Sequence, residues 1–466
     1  MNEELVWAPL TEHVKKVREG ELSVADIVRA YLQRLEEHDG HLGSHVATNP
    51  GALEQAQALD AAIKRGEDTG PLTGAVISVK DNCLTADMPT RAGTSVERLQ
   101  FGYAESNVVR RLRQSGAVIL GKTRMHEFAW GNITAPCRNP WKEGCVPGGS
   151  SGGSGAAVAA ALCGGAIGTD TGGSIRIPAT LCGTVGLKAT FGLVGRGGII
   201  PHSWSLDHVG PMTRTVEDSA LLLESLEGFD PEDPSTRVRV PRPYRQACGA
   251  SIEGRSIGII RNHFTERLSV EVEQAFQSAI DWFRSQGAMV HEFEAPALAH
   301  GLGAIFAIEL ASASAYHDRA VQEGLTQGFD PDVRDLVDMG RFVTGVDYLH
   351  AEQLRTLLSR QMAEILETVD VIMTPTSPIT AWESGCWEVD VRGTPESVLA
   401  ASWRFTYPFN LTGMPAISLP AGFNEAGLPI GLQIAGRPFA EPDILSFAAA
   451  YERAHDWSAL RPASYS

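Results

Sequence analysis

The stretch GGSSGGSGAAVAAALCGGAIGTDTGGSIRIPATLCGTVGLK, from Gly148 to Lys188, decides the fold of this chain. Two tracts rich in glycine and serine flank a run of small residues, Ser154–Cys163, which predicts a buried helix that ends at Gly164 and Gly165. On composition alone, the tracts are as typical of two tight turns around this helix as of a backbone shaped for chemistry.

The second tract has a chemical interpretation that rests on Thr171-Gly172-Gly173-Ser174. Consecutive amide N–H groups with little side-chain bulk can be turned toward one point, which is how an oxyanion hole is built. A serine at the end of such a turn is well placed as a nucleophile that accepts an acyl group. The pattern therefore indicates Ser174 as a candidate nucleophile.

Strand and helix patterns alternate along the rest of the chain and predict an α/β fold. Around the deciding stretch, a strand–helix–strand unit is predicted over residues 75–120. Helices are expected in the first sixty residues, and a long surface excursion over residues 228–256, which are rich in proline and charge. The remaining predictions are helices at Thr215–Leu226 and Val270–Gln286, strands at Ser256–Ile260 and Asp370–Thr374, and a terminal hairpin of Ala416–Leu419 with Ile430–Ile434.

Composition excludes several classes of protein. With 39 Lys and Arg against 56 Asp and Glu, the net charge of −17 disfavours nucleic-acid and anionic-membrane partners, which need a basic face. We expect no apolar run of the ~18 residues that span a membrane, and Met1–Glu4 lacks the features of a secretory signal. The seven cysteines show no C-x-x-C spacing, which indicates free thiols in a reducing, cytoplasmic compartment.

Three motif matches fail on their context. Gly116–Thr123 satisfies the P-loop pattern, but its middle residues form an apolar run typical of a buried strand and not of a phosphate-binding loop. Gly148–Gly152 matches the nucleophile elbow of serine hydrolases, but no strand precedes it. His126-Glu127 begins a zinc-protease pattern whose second histidine is replaced by Trp130, so no metal ligand set is predicted.

A nucleophilic serine needs a base, and no histidine can be assigned to that role. Lysine is the next candidate, because burial disfavours the ammonium form and leaves an amine that accepts protons near neutral pH. Lys80 directly follows the apolar run Ala75–Val79, at a strand end where α/β sheets place ligands. Lys188 is an equally good candidate on the same physical grounds, so residue chemistry alone leaves both open.

The chain resembles the amidase signature family across these motifs. The likeness runs from Val79–Asn82 through Gly121–Phe128 and the whole Gly148–Lys188 stretch to Ser205–Asp218, and it returns more loosely at Gly413–Pro420 and Gly427–Gln433. It implies one large amidase domain over residues 1–466, built on a central mixed β-sheet with helices on both faces. Within it we expect a helical region at 1–70, a catalytic core at 70–225 and a variable substrate-pocket region at 265–415.

The resemblance also implies roles for individual residues. Ser174 is the expected nucleophile, Ser150 a bridging serine after a cis peptide bond to Gly149, and Lys80 the general base. The amides of Thr171, Gly172, Gly173 and Ser174 are expected to form the oxyanion hole, with Asp170 and Arg176 as supports. Substrate contacts are expected from Trp130, Gly149, Ile175 and Ile177. The family chemistry implies no cofactor and no metal.

The resemblance implies a serine hydrolase that cleaves amides through an acyl-enzyme, with aryl amides, carbamates and esters as further substrates. One alternative is the glutaminase component of a tRNA-dependent amidotransferase, which would act with partner chains. The other is a nucleotide-binding protein that would use Gly116–Thr123. That component typically has glutamine where Ile177 stands, and a longer segment between Gly131 and Arg138. We therefore expect a small-molecule substrate, no nucleic-acid or membrane partner, and a monomer or homodimer.

Overall fold

A computed structural model describes residues 3–99, 101–102 and 104–466 of the chain. Thirteen strands lie in the described part: β1 His45–Thr48, β2 Val76–Lys80, β3 Val118–Thr123, β4 Gly165–Asp170, β5 Val185–Lys188, β6 His208–Thr213, β7 Ser256–Ile260, β8 Met289–Phe293, β9 Val371–Pro375, β10 Glu388–Val391, β11 Thr394–Ser397, β12 Ala416–Phe423 and β13 Pro429–Gly436.

Sixteen α-helices accompany them in the same described residues: α1 Glu3–Trp7, α2 Leu10–Arg18, α3 Val24–Leu42, α4 Ala52–Lys64, α5 Asn107–Gln114, α6 Gly152–Ala159, α7 Arg176–Cys182, α8 Val216–Leu226, α9 Tyr244–Ala247, α10 Val270–Ser285, α11 Gly301–Gln322, α12 Pro331–Gly340, α13 Gly345–Thr368, α14 Val398–Trp403, α15 Pro408–Leu411 and α16 Glu441–His455.

Eleven strands form one mixed sheet, in the order β1-β3-β2-β4-β6-β5-β12-β13-β9-β7-β8, while β10 and β11 make a separate hairpin. Strands β3, β2 and β4 run parallel, as do β9, β7 and β8, and the strands between these groups pair antiparallel. This is the α/β fold with a central mixed sheet that the sequence analysis predicts.

Helices cover both faces of the sheet, because successive side chains of each strand point to opposite faces. In β2, Ile77 and Val79 join a core with α5, α8, α10 and α16, whereas Val76 joins another core with α3 and α6. In β9, Met373 faces the first core, and Ile372 joins a third core with α11 and α13. The sheet therefore separates two apolar layers, each closed by helices.

Most predicted elements are confirmed, and the differences have local causes. The strand–helix–strand unit is β2, α5 and β3, and the terminal hairpin is β12 with β13. The N-terminal region is not wholly helical, since β1 pairs antiparallel with β3 at the sheet edge. The helix predicted over Ser154–Cys163 ends at Ala159, because Ala161 has a left-handed backbone (φ 54°) and Gly165 begins β4.

One helix bears on the expectation that no apolar run reaches the ~18 residues of a membrane span. Of the described residues, Pro296–Gln322 is the only helical segment that passes a test of length and apolar composition for a membrane span. It passes because it belongs to the core: Ile305 and Ile308 are fully buried, and 56% of the most apolar window lies inside the protein. A core helix is apolar for this reason without contacting lipid.

Asp218, on α8, ties the start of α2 to α8. Its buried carboxylate accepts hydrogen bonds from the backbone N–H groups of Leu10 (3.1 Å) and Thr11 (2.9 Å) at the start of α2, whose N-cap Pro9 has no side chain that could do so. We expect Asp218→Ala to lower the free energy of unfolding by about 2–4 kcal/mol, because two backbone donors, one buried and one half-buried, lose their acceptor. Urea denaturation measures the loss.

The neighbouring Glu217→Ala is the matched control. Glu217 is an exposed acid in the same first turn of α8. Its removal costs only the interaction with the helix dipole, about 0.5 kcal/mol. Equal losses in the two variants would contradict the tie between α8 and α2.

Candidate active site

Lys80 is the last residue of β2, and its amine is fully buried. Its Nζ lies 2.7 Å from Ser150 Oγ and 2.8 Å from Thr169 Oγ1 on the adjacent parallel strand β4. Burial lowers the pKa of Lys80 to about 7, because neighbouring groups that favour the charged form, Asp207 and Asp170 among them, only partly offset the loss of hydration. The amine is therefore poised to exchange a proton near neutral pH.

Ser150 is held over Lys80 by bonds to three other segments. The Gly149–Ser150 peptide bond is cis, and the Ser150 carbonyl accepts a hydrogen bond from the His126 N–H (3.1 Å). The next residue, Ser151, donates its N–H to the Ser174 carbonyl (3.2 Å) and its hydroxyl to the Thr169 carbonyl (3.1 Å). The two tracts singled out in the sequence are thus joined side by side.

A buried ion pair closes the turn that ends in Ser174. Asp170, at the end of β4, accepts hydrogen bonds from the Ile175 N–H (3.1 Å) and from Nε and Nη2 of Arg176 (3.0 and 2.9 Å), and both side chains are fully buried. Burial raises the pKa of Asp170, but the Arg176 guanidinium outweighs it and holds that pKa well below its usual range. The pair supports the turn, as the family resemblance implies.

The turn presents unused amide donors. The N–H groups of Gly172, Gly173 and Ser174 meet no hydrogen-bond acceptor within the described part of the chain. Free buried N–H groups are rare, and three in a row mark a site that receives an acceptor from outside. Both glycines are required: a Cβ on Gly172 would lie 1.8 Å from Trp403 Nε1, and Gly173 has a φ of +146°.

Ser174 opens onto a cavity next to this turn. Its side chain belongs to the lining, and no described residue forms a hydrogen bond with its hydroxyl. Of the predicted substrate contacts, Trp130, Gly149 and Ile177 also line the cavity, whereas Ile175 lies in the core against Ala179 and Met212. The full lining is Ala129, Trp130, Gly131, Asn132, Gly149, Thr171, Gly172, Ser174, Ile177, His202, Phe306, Glu309, Leu336, Leu399 and Trp403.

Two other buried lysines have different partners. Lys188, the alternative base, donates to the backbone carbonyls of Met414 and Ala189. Lys122, from the apparent P-loop, belongs to β3 and donates to the carbonyl of Cys83 and the hydroxyl of Thr90. Of these three lysines, Lys80 alone is hydrogen-bonded to a serine hydroxyl.

The sequence analysis missed several residues of this site. Thr169 anchors the Lys80 amine, while His202 and Glu309 bring the only ionisable Asp, Glu, His, Lys or Arg side chains among the described lining residues. Glu309 carried a usable signal, because it is a single carboxylate in the apolar helical run 304–311. His202 carried none, since it lies in a loop remote in sequence from every other part of the site.

Comparison with known proteins gives consistent similarities. A family model described as Amidase matches residues 26–445. The chain is 41% identical to an amidase from Pseudomonas putida over 97% of both chains, and 40% identical to a glutamyl-tRNA(Gln) amidotransferase component from Gloeobacter violaceus over 96% of both. Among solved structures, a bacterial aryl acylamidase of the amidase signature family superposes with a TM-score of 0.90 at 27% identity, covering 97% of each chain.

Removal of the Asp170 charge tests whether the ion pair with Arg176, here called the clasp, holds the turn. We expect Asp170→Asn to lower the free energy of unfolding by about 3–5 kcal/mol, because it leaves the Arg176 guanidinium buried without a counterion. The double variant with Arg176→Met should lose less than the single one, since it removes the unpaired charge. Urea denaturation compares both with Asp281→Asn, which breaks an exposed ion pair with Arg284 and should cost less than about 1 kcal/mol. A loss as small as that for Asp170→Asn would contradict this account of the clasp.

Proposed function

The chain belongs to the amidase family, and from that premise we propose that it is a serine hydrolase that cleaves the C–N bond of small amides. One observation carries the proposal: a fully buried amine with a pKa of about 7 lies 2.7 Å from the Ser150 hydroxyl, beside a cavity that holds Ser174 and free backbone amides. These are the groups that the proposed mechanism needs as base, relay, nucleophile and oxyanion donors.

The proposed reaction begins with a proton relay. The neutral Lys80 amine takes the Ser150 proton, Ser150 takes the Ser174 proton, and Ser174 Oγ attacks the carbonyl carbon of the amide. The relay requires one contact beyond those observed, between the hydroxyls of Ser174 and Ser150. It forms when the Ser174 side chain rotates toward Ser150. The negative charge that develops on the carbonyl oxygen is stabilised by the N–H groups of Gly172, Gly173 and Ser174, with Thr171 at the start of the same turn.

The second half returns the protons. As the C–N bond breaks, the proton held by Lys80 passes back through Ser150 to the leaving amine, and an acyl-enzyme forms on Ser174. Water then attacks the ester carbonyl, gives its proton to the same relay, and releases the carboxylic acid with the serine restored. Because esters and carbamates pass through the same tetrahedral oxyanion, we propose both as further substrates.

The cavity walls support an apolar or aromatic substrate. Trp130, Phe306, Leu399 and Trp403 present aromatic and aliphatic surface, and Ile177 adds to it. Such walls bind aryl groups through burial of apolar area. We propose aryl amides and aryl carbamates as the preferred substrates of a cytoplasmic enzyme that acts as a monomer or homodimer, without nucleic acid or membrane.

A second candidate, the glutaminase component of an amidotransferase, is favoured by the 40% identity to such a chain from Gloeobacter violaceus. Glutamine carries an α-carboxylate that a binding site has to neutralise. The described lining of the cavity holds the acidic Glu309 and neither lysine nor arginine. We therefore place this function, and the partner chains it requires, second.

Substitution of the relay residues tests the hydrolase. We expect Ser174→Ala and Lys80→Ala to lower kcat/KM for p-nitroanilides, aryl carbamates and esters by at least about 10³-fold, because nucleophile or base is lost. Ser285→Ala and Lys64→Ala, both at exposed helix ends, are the matched controls. A fluorophosphonate should add to Ser174 in the active protein, as intact-mass and peptide analysis will show.

Retention of turnover in Ser174→Ala would contradict the proposed nucleophile. Turnover of glutamine well above that of aryl amides would favour the amidotransferase role instead.

The pH dependence of the reaction tests the base. Protonated Lys80 cannot accept a proton, so kcat/KM should fall about tenfold per pH unit below a pKa of about 7 and level off above it. Stopped assays with one anilide and one ester should give the same rising limb, because it belongs to the free enzyme. A limb near the ordinary lysine pKa of about 10.4 would contradict a desolvated base.

A further inference from the structure

Glu309 is a buried carboxylate that faces the candidate active-site cavity. It lies on α11, is 4% exposed, and shares the cavity with Ser174. No described residue donates a hydrogen bond to it. Burial raises its pKa, and the adjacent His202 only partly opposes that effect. A carboxylate whose one charge partner lies 3.8 Å away keeps unused capacity to accept, which a donor on a bound ligand can satisfy.

His202 is the charge partner of Glu309 but does not use up its capacity to accept hydrogen bonds. Its Nδ1 lies 3.2 Å from the Phe128 carbonyl oxygen, which can only accept, so Nδ1 carries the hydrogen. Burial lowers the pKa of His202, but the Glu309 carboxylate outweighs it and raises that pKa. The protonated Nε2 lies 3.8 Å from Glu309 Oε2, so the two form an ion pair that is too long for a hydrogen bond. The carboxylate therefore retains its capacity to accept while the imidazole keeps it oriented.

The pair is fixed relative to the turn that bears Ser174. Asp207 accepts hydrogen bonds from the His202 N–H (2.8 Å), the Ser203 N–H (3.0 Å) and the Thr171 hydroxyl (2.6 Å). Since Thr171 begins the turn that ends in Ser174, one carboxylate sets the position of His202 relative to the reacting centre. A ligand that reaches Ser174 meets Glu309 at a defined place.

Apolar surface surrounds this polar position. The Trp130 ring contacts His202 edge to face, with centroids 4.3 Å apart, and Phe306, one helical turn before Glu309, contacts Trp403 at 4.9 Å. A group bound between these rings is apolar or aromatic and touches one acceptor. The lining is therefore suited to an aryl group that carries a neutral hydrogen-bond donor, and it disfavours a carboxylate.

We propose that Glu309 is a specificity-determining residue that accepts a hydrogen bond from a hydroxyl or amino group on the aromatic part of the substrate. The proposal rests on the proposed amide hydrolysis for its setting. It names the substrate class more closely: aryl amides or carbamates with a donor on the ring, in preference to the same compounds with a methyl group or a carboxylate there.

Binding to the Ser174→Ala variant tests this recognition without turnover. The probes are 4-hydroxybenzamide and 4-methylbenzamide, which have nearly the same size and differ in the donor. By calorimetry we expect the hydroxyl compound to bind about 10- to 100-fold more tightly, as for a hydrogen bond to a charged group. Adding Glu309→Leu should bring the two affinities together, whereas Glu309→Gln should keep part of the preference, since its amide oxygen still accepts.

Turnover gives the second readout. In the wild type, the ratio of kcat/KM for 4-hydroxybenzoyl and 4-methylbenzoyl anilides should fall about 10-fold or more in Glu309→Leu, and comparison of ratios cancels the intrinsic reactivity of each anilide. Glu323→Gln removes the same charge from an exposed position after the end of the same helix and should leave the ratio unchanged. If Glu309→Leu does not fold, Glu309→Gln serves as the test variant. We then expect its preference for the hydroxyl compound to be about threefold or more below that of the wild type.

The outcomes separate the two proposals. An unchanged preference in Glu309→Leu or Glu309→Gln, or no measurable binding of either amide, would overturn the role of Glu309. A preference that depends on Glu309 in binding, together with no hydrolysis of any anilide, would overturn the proposed hydrolase and support recognition by Glu309.

Discussion

The site depends on one amine that is kept from water. Lys80 lies at the end of a strand whose two neighbours run parallel to it, so strands flank its backbone on both sides. Its amine is fully buried against Ser150 and Thr169. In contact with water, the amine of Lys80 would stay protonated at neutral pH, and it could then not accept a proton from Ser150. The register of β2 against β4 and the small residues around them serve this exclusion of solvent.

A second constraint acts on the backbone. The turn after β4, with its three free N–H groups, is closed by the bond between Asp170 and Arg176. Arg176 also donates to Thr406, Asn410 and Gln433. These three partners lie more than two hundred residues further along the chain. The turn is thus completed by the packing of the C-terminal part of the domain, because residues of that part hold Arg176 in place.

The sequence predicts the elements that local chemistry specifies. Apolar runs identify β2, β3 and β12, and the glycine–serine tracts identify the segments of Ser150 and Ser174. Physical reasoning could not choose between Lys80 and Lys188, because both end buried strands. What distinguishes them is the hydrogen-bond partners that the fold brings to each amine. The proximity of Glu309 and His202 was not predicted for a related reason. It depends on how α11 packs over the loop at 200–207, and no short-range pattern encodes that packing.

The order of the site along the chain has a consequence for how such proteins diversify. Lys80, Ser150 and Ser174 come from the strands and turns of one continuous segment, whereas a second set of lining residues comes from helices later in the chain: Phe306, Glu309, Leu336, Leu399 and Trp403. Replacement of the second set would redirect the choice of ligand while the first keeps its geometry. The ligand preference of such a chain can therefore change through its later helices, while the segment that holds Lys80, Ser150 and Ser174 stays as it is.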